Sequence, residues 1–241
     1  MPKQFKKAAC FLTVLGLLTS FVFGAHSSYA MPKQKDAKQA TKVLSNSELK
    51  TLDLEGVENV DNLDDLLLDW GFDYETCEEL EQDGILYVIN DNDEVVITGY
   101  AESIDESTIS IPDKIDGHPV TMIYEFAFCG LEKTKIINIP NSVKVIGAEA
   151  FAWCNNLQTI NIPTSVTTID AAAFAGNDKL QSITIPDSVT ELGAAAFILN
   201  ENLTSVTLPN TISSIPYATF AGCVSLKKID IPNSVKAIEK E

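Results

Sequence analysis

The chain has 241 residues, a formal net charge of −17 and no arginine. Phosphate backbones are repelled by such a surface and find no guanidinium fork on it, which argues against nucleic-acid partners and against docking to anionic membranes. The single histidine beyond residue 30, His118, likewise argues against zinc sites of the usual kinds.

Residues 1–30 carry Lys3, Lys6 and Lys7, an apolar run from Ala8 to Gly24, then Ser28-Tyr29-Ala30. That order predicts a secretory signal peptide cleaved near Ala30. The run is short for a membrane span and nothing later is comparably apolar, so the expectation is a secreted, extracellular or cell-surface product with no membrane insertion after cleavage. Residues 31–50 are polar and lysine-rich and suit a flexible linker.

Residues 51–106 form an acidic N-terminal region with 19 Asp and Glu and no Lys. Leu63, Leu66, Leu67 and Trp70 share one helical face behind a potential Asn62 cap, and a second short helix is expected between Asp73 and Gly84. Two β-rich runs, ILYVIN and VVITGY, then flank Asp91-Asn92-Asp93-Glu94 and predict a β-hairpin over 85–100. Asp91, Asp93 and Glu94 are candidates for Ca²⁺, although the spacing lacks the glycine of an EF-hand. The hairpin is expected to cover the apolar end of the periodic region beyond it.

That region, residues 107–241, has a fixed repeat length. Pro140, Pro163, Pro186, Pro209 and Pro232 recur every 23 residues, as do Phe128, Phe151, Phe174, Phe197 and Phe220. A fixed period in this range signals a stacked solenoid. Nine and eleven residues after each phenylalanine stand apolar pairs such as Ile160 and Ile162 or Ile183 and Ile185, the alternation of a short strand with two inward side chains. Proline ends each strand because it offers no N–H to a ladder. A hydroxyl comes next (Ser142, Ser165, Ser188, Thr211, Ser234) and is expected to bond nearby backbone in the turn.

Stacking at about 4.8 Å per coil bears on the cysteines. Cys154 and Cys223 hold the same repeat position three coils apart, roughly 14 Å, whereas a disulfide needs Cα atoms within about 7 Å. Free thiols are expected there, with a Cys129–Cys154 pair between adjacent coils as the alternative.

Units such as LQTINIPTSVTTIDAAAFAGN and LTSVTLPNTISSIPYATFAGC resemble the BspA-like leucine-rich repeats, over about 107 to 241. The resemblance implies an α/β repeat solenoid: a right-handed leucine-rich-repeat coil of 23-residue units with a parallel sheet on one face, here preceded by a small α+β acidic region. It implies a microbial secreted or surface protein that binds or adheres to protein or glycan. It supplies no catalytic residues and no cofactor. Thr134 departs from the pattern leucine, and Asp170 and Pro216 from the pattern glycine kept at Gly147 and Gly193.

The binding expectation falls on the strand positions between inward residues: Thr159, Asn161, Ser182, Thr184, Ser205 and Thr207. They form a strip of short hydrogen-bonding side chains, though Ser and Thr also simply suit strands. Two residues after each phenylalanine come Gly130, Trp153, Gly176, Leu199 and Gly222. Small residues dominate there, so the position is expected to face outward, with Trp153 and Leu199 as exposed apolar anchors or as covers over a neighbouring coil. His118 lies in a turn, with no nucleophile motif beside it, and no enzyme is expected. The competing functions are a carbohydrate-active or other hydrolase with the repeats as an appendage, and a purely structural spacer. Lys227 and Lys228 put charge on the last strand, Lys227–Ile231, and are expected to discourage strand addition and keep the protein monomeric.

Overall fold

The computed structural model describes residues 79–101, 104 and 107–239. The expected signal peptide, the linker and the helix carrying Leu63, Leu66, Leu67 and Trp70 lie outside the described residues. The described strands open with β1 (Leu80–Gln82), β2 (Ile85–Ile89) and β3 (Val95–Tyr100). These three form an antiparallel meander, with β2 and β3 as the hairpin. The second helix, expected to run to Gly84, is corrected at its C-terminal end: Leu80–Gln82 is a strand, turned by Asp83-Gly84 onto β2. Glycine suits that turn because its φ is +78°.

The coils come next. In chain order their strands are β4 (Thr108–Ser110), β5 (Lys114–Ile115), β6 (His118–Ile123), β7 (Ile136–Asn138), β8 (Val145–Ile146), β9 (Thr159–Asn161), β10 (Thr168–Ile169) and β11 (Ser182–Thr184). Then come β12 (Glu191–Leu192), β13 (Ser205–Thr207), β14 (Ser214–Ile215) and β15 (Ala237–Ile238). Equivalent strands of successive coils pair in parallel on two strips rather than one, with breaks between β9 and β11 and between β12 and β14. The first strip holds β4, β7 and β9, then β11 and β13. The second holds β6, β8, β10 and β12, then β14 and β15. The expectation of a sheet on one face is thereby corrected. The Val-x-x-Ile segment after each proline ends in a second short strand that carries Ile146, Ile169, Leu192 or Ile215, while Val143, Val166, Val189 and Ile212 precede it in the turn.

Among the described residues there is no helix, and the α/β expectation is corrected to an all-β coil. Where a helix would cross between strips, each coil uses an arch bent by two left-handed residues. One stands two positions before the phenylalanine: Phe126, Glu149, Ala172, Ala195 and Ala218, with φ of +56°, +53°, +53°, +56° and +53°. The other stands two positions after it: Gly130, Trp153, Gly176, Leu199 and Gly222, with φ of +75°, +59°, +67°, +59° and +72°. Two such residues within five positions are incompatible with helical repetition.

Between them the phenylalanine points inward. Phe128, Phe151, Phe174 and Phe197 are fully buried. Their rings, with Phe220, stack at centroid spacings of 5.5, 5.6, 5.3 and 5.7 Å. The spine begins on the hairpin: Tyr100 of β3 stacks on Phe128 at 6.3 Å and donates its hydroxyl to the Cys129 carbonyl. β3 also pairs in parallel with β6, and Tyr87 on β2 donates to Asp116 in the turn before β6. Residues 85–100 are therefore continuous with the first coil in sheet and in core.

The recurring hydroxyls behave differently from expectation. The Oγ atoms of Ser142, Ser165, Ser188 and Ser234 are buried and unbonded, while Thr211 donates to the Val189 carbonyl. The turn is closed by backbone instead, as in Val166 N–H to Pro163 O. A buried hydroxyl without a partner costs free energy. Ser165→Ala is therefore expected to leave the fold intact and raise the melting temperature slightly; a clear drop in a thermal melt would show that the hydroxyl finds a partner.

Candidate functional site

On the first strip the inward residues Ile137, Ile160, Ile183 and Val206 are buried, so their neighbours must point to solvent. Thr159, Asn161, Ser182, Thr184, Ser205 and Thr207 are all exposed. Register sets Ser205 beside Ser182 and Thr207 beside Thr184. Thr159 and Asn161 lie beside Ile136 and Asn138. Asn161 is already employed: its Nδ2 donates to the Ile139 carbonyl and its Oδ1 accepts from the Ile139 N–H, each at 3.1 Å. The hydroxyls are the adaptable part of the strip.

Three further residues belong to this face and were not singled out from sequence. Gln158, Gln181 and Thr204 are exposed one position before the strip residues. Their shared register with Thr159, Ser182 and Ser205 was the available signal. The middle of the face thus carries no charge. Lys135 lies at one end, and Lys227, Lys228 and Asp230 lie at the other.

Of the two readings offered for Trp153 and Leu199, exposed anchor or cover over a neighbouring coil, the structure has the cover. Neither is an outward anchor; both are partly buried and pack on an outer cluster of small arch residues that includes Ala152, Ala175, Ala195 and Ala221. A Cβ added at Gly176 would lie 2.3 Å from the Trp153 ring, and one at Gly222 would lie 2.6 Å from Leu199. Each large side chain covers the glycine of the following coil. Small residues predominate at this position because it needs a positive φ and, at Gly176 and Gly222, room for that cover.

Other sequence candidates are dispersed. Asp91 and Asp93 are exposed in the hairpin turn, whereas the Glu94 carboxylate accepts from Thr121 and Asn90. Among the described residues no three His, Cys, Asp or Glu side chains are grouped as a metal would need. His118, expected in a turn, is instead the first residue of β6, and its Nδ1 lies 3.0 Å from the Asp93 carbonyl, tying the start of that strand to the hairpin turn. Cys154 and Cys223 are free and buried, and burial pushes their thiols up to about 12 and about 11. Cys129 is disulfide-bonded, but not to Cys154, so the alternative pairing between adjacent coils does not form. Lys227–Ile231 is not a paired strand. There Lys227 donates to the Val224 carbonyl and Lys228 forms an exposed ion pair with Asp230 at 2.8 Å.

Glu149 is the unusual ionisable group. It holds the left-handed arch position occupied elsewhere by Phe126, Ala172, Ala195 and Ala218, is 7% exposed, and its Oε2 is buried without a partner. Burial, with a smaller contribution from Glu125, pushes its carboxyl up to about 8. The protonated acid is the form the fold accepts. The stabilisation is complete below the ordinary value of 4.5 and is lost as pH rises through about 8. Glu149→Gln is therefore expected to raise the melting temperature at pH 9 and to change it little at pH 4; equal shifts at both would count against a titrating Glu149.

Comparison with known proteins gives a consistent assignment of the repeat. The family described as BspA type leucine rich repeat region matches residues 121–241 in six copies. Among solved structures, a leucine-rich repeat protein from Bacteroides ovatus is 29% identical, with a TM-score of 0.52 over 66% of this chain and 49% of its own. The leucine-rich repeat protein of T. pallidum is 26% identical, with a TM-score of 0.55 over 67% and 86%. The pneumococcal vaccine antigen PcpA is 25% identical, with a TM-score of 0.54 over 66% and 42%. The chain spans about half the length of the Bacteroides ovatus structure. No curated protein matches it.

Proposed function

Because the chain belongs to the BspA-type leucine-rich repeat family, we propose that it is a secreted or cell-surface binding protein whose first strip docks an extracellular protein or glycan. The observation that carries this is the face itself. In a chain of net charge −17, the exposed rows from Gln158 to Thr207 carry hydroxyls and amides and no charge. Short side chains lose little rotamer entropy when a partner covers them, and stacked coils present them row by row. The likeness to a pneumococcal vaccine antigen supports a surface location, and the signal-like residues 1–30 support export. In this reading the repeats hold a partner and carry no catalysis, and His118 serves the turn it bonds.

The test is a glycan array and a panel of immobilised extracellular matrix proteins, probed with the wild type and with a Ser182→Glu, Ser205→Lys double variant, whose opposite charges face each other across the strand pair. Both positions are exposed, so the fold should survive. The expected result is binding by the wild type and loss of binding by the variant at an unchanged melting temperature. Equal binding by both would move the site off this face.

A further inference from the structure

The second strip is stitched coil to coil by a repeated pair of backbone bonds. Lys144 N–H donates to Thr121 O and Gly147 N–H to Ile123 O, at 2.7 and 2.8 Å. The next coil repeats this through Thr167 to Lys144 and Asp170 to Ile146, each at 2.9 Å. The one after does so through Thr190 to Thr167 at 2.9 Å and Gly193 to Ile169 at 2.7 Å. Past a gap the pattern resumes with Lys236 to Ser213 at 2.7 Å and Glu239 to Ile215 at 3.0 Å.

The gap lies between β12 and β14, which do not pair. Its cause is in the sequence. The position held by Gly147, Asp170 and Gly193 is here Pro216, which has no N–H to give the Leu192 carbonyl. This position also sits close to the preceding coil: a Cβ on Gly193 would come within 2.3 Å of the Ala171 nitrogen. Asp170 accommodates a Cβ at the equivalent place and keeps its bond to Ile146, so the missing N–H of Pro216 is what leaves these two coils unstitched. A cleft of about 310 Å³ opens there, lined among others by Asp170, Thr190, Glu191, Ser213 and Ser214.

The other two sides of the same pair of coils stay closed. On the first strip β11 and β13 pair over three residues. In the arch, Ala195, Phe197 and Leu199 donate to Tyr217, Thr219 and Ala221 at 2.8, 3.0 and 2.7 Å. We infer that Pro216 builds a hinge into the stack: the coils on either side of the cleft swing apart at the second strip while the first strip and the arch act as the pivot. The structural asymmetry assigns the direction of motion, because only the unstitched side can widen without breaking backbone bonds. The binding face lies on the pivot, so its curvature changes at Ser182–Ser205 and Thr184–Thr207 when the hinge moves.

The experiment uses the full chain. Amide hydrogen exchange should be about tenfold faster at Ser213 and Ser214 than at Thr190 and Gly193, because the former donate to no neighbouring coil. Spin labels at Thr190 and Ser213 should give a broad distance distribution. Pro216→Gly supplies the missing donor, and Pro216→Asp copies the residue tolerated at Asp170. Either should slow exchange at Ser213 and Ser214 and narrow the distribution. Exchange is the readout rather than melting temperature, because replacing proline also loosens the unfolded chain. Protection of Ser213 and Ser214 equal to that of Thr190 and Gly193 in the wild type would overturn the hinge. So would a narrow wild-type distribution, or two variants that fold but change neither readout.

Discussion

Phe174→Ala is expected to destabilise the protein by about 3–5 kcal/mol, a large fraction of the roughly 5–15 kcal/mol that holds a typical domain folded. Phe174 is completely buried, with the Phe151 ring at 5.6 Å on one side and the Phe197 ring at 5.3 Å on the other. Truncation removes its buried apolar surface and opens a void that two stacked neighbours cannot both close. The main chain is held on each side by inter-coil bonds, Phe151 N–H to Ala173 O and Phe174 N–H to Ala196 O, so collapse into the void is limited. Phe174→Leu should cost clearly less. Urea melts followed by circular dichroism test this, and a shift under about 1 kcal/mol would show that the spine relaxes freely.

The second large effect is expected at Asn177, a completely buried amide. Its Oδ1 accepts from the Cys154 N–H at 2.9 Å. Its Nδ2 donates to the carbonyls of Phe151 and Phe174, at 3.1 and 3.0 Å. In Asn177→Ala the Phe174 carbonyl keeps a partner, because Asn200 Nδ2 also donates to it at 2.8 Å. The Cys154 N–H and the Phe151 carbonyl lose theirs, at about 1–3 kcal/mol for each buried orphan. Asn177→Cys offers a control that the chain itself supplies. At equivalent positions the Cys154 thiol donates to the Phe128 carbonyl at 3.2 Å and the Cys223 thiol to the Phe197 carbonyl at 3.1 Å. Cysteine thus satisfies the carbonyl of the preceding coil but not the N–H. The expected order of stability is Asn, then Cys, then Ala, and a cysteine variant no better than alanine would refute the ladder account.

The period, the inward strand residues and the prolines that end strands were legible because each expresses a local rule that repeats. The phenylalanine spine was implied by the register alone. The hairpin at 85–100 was legible for the same reason: its alternation is a two-residue pattern. What the chain hid were the consequences of backbone shape. Alanine has no preference for a left-handed φ, yet Ala172, Ala195 and Ala218 each hold one, which ends any helix. Trp153 read equally as an exposed anchor or as a cover, because its neighbours in register are mostly glycines. Those glycines answer to dihedral angle, and the indole finds its surface on the next coil. The outward strand positions were legible from their alternation with buried ones, but Asn161 was grouped with the hydroxyls although its amide is spent on Ile139. A departure from pattern at Pro216 was visible from the outset. Its meaning emerged only when the bonds it omits were set beside those of its neighbours.

The covered glycines carry a consequence for how such a chain can grow or shrink. Large residues at Trp153 and Leu199 alternate with Gly130, Gly176 and Gly222, and each leans over the glycine of the next coil. Glycine alternates again at Gly147 and Gly193, with Asp170 between them and Pro216 after. Sequence repeats once per coil, but side-chain fit repeats once per two. Excising one unit would press the indole of Trp153 against Leu199, and splicing in one unit would leave a glycine bare or two bulky neighbours in collision. Recombination between units is therefore expected to be tolerated in even steps. Engineered chains lengthened by two coils should fold more stably than those lengthened by one.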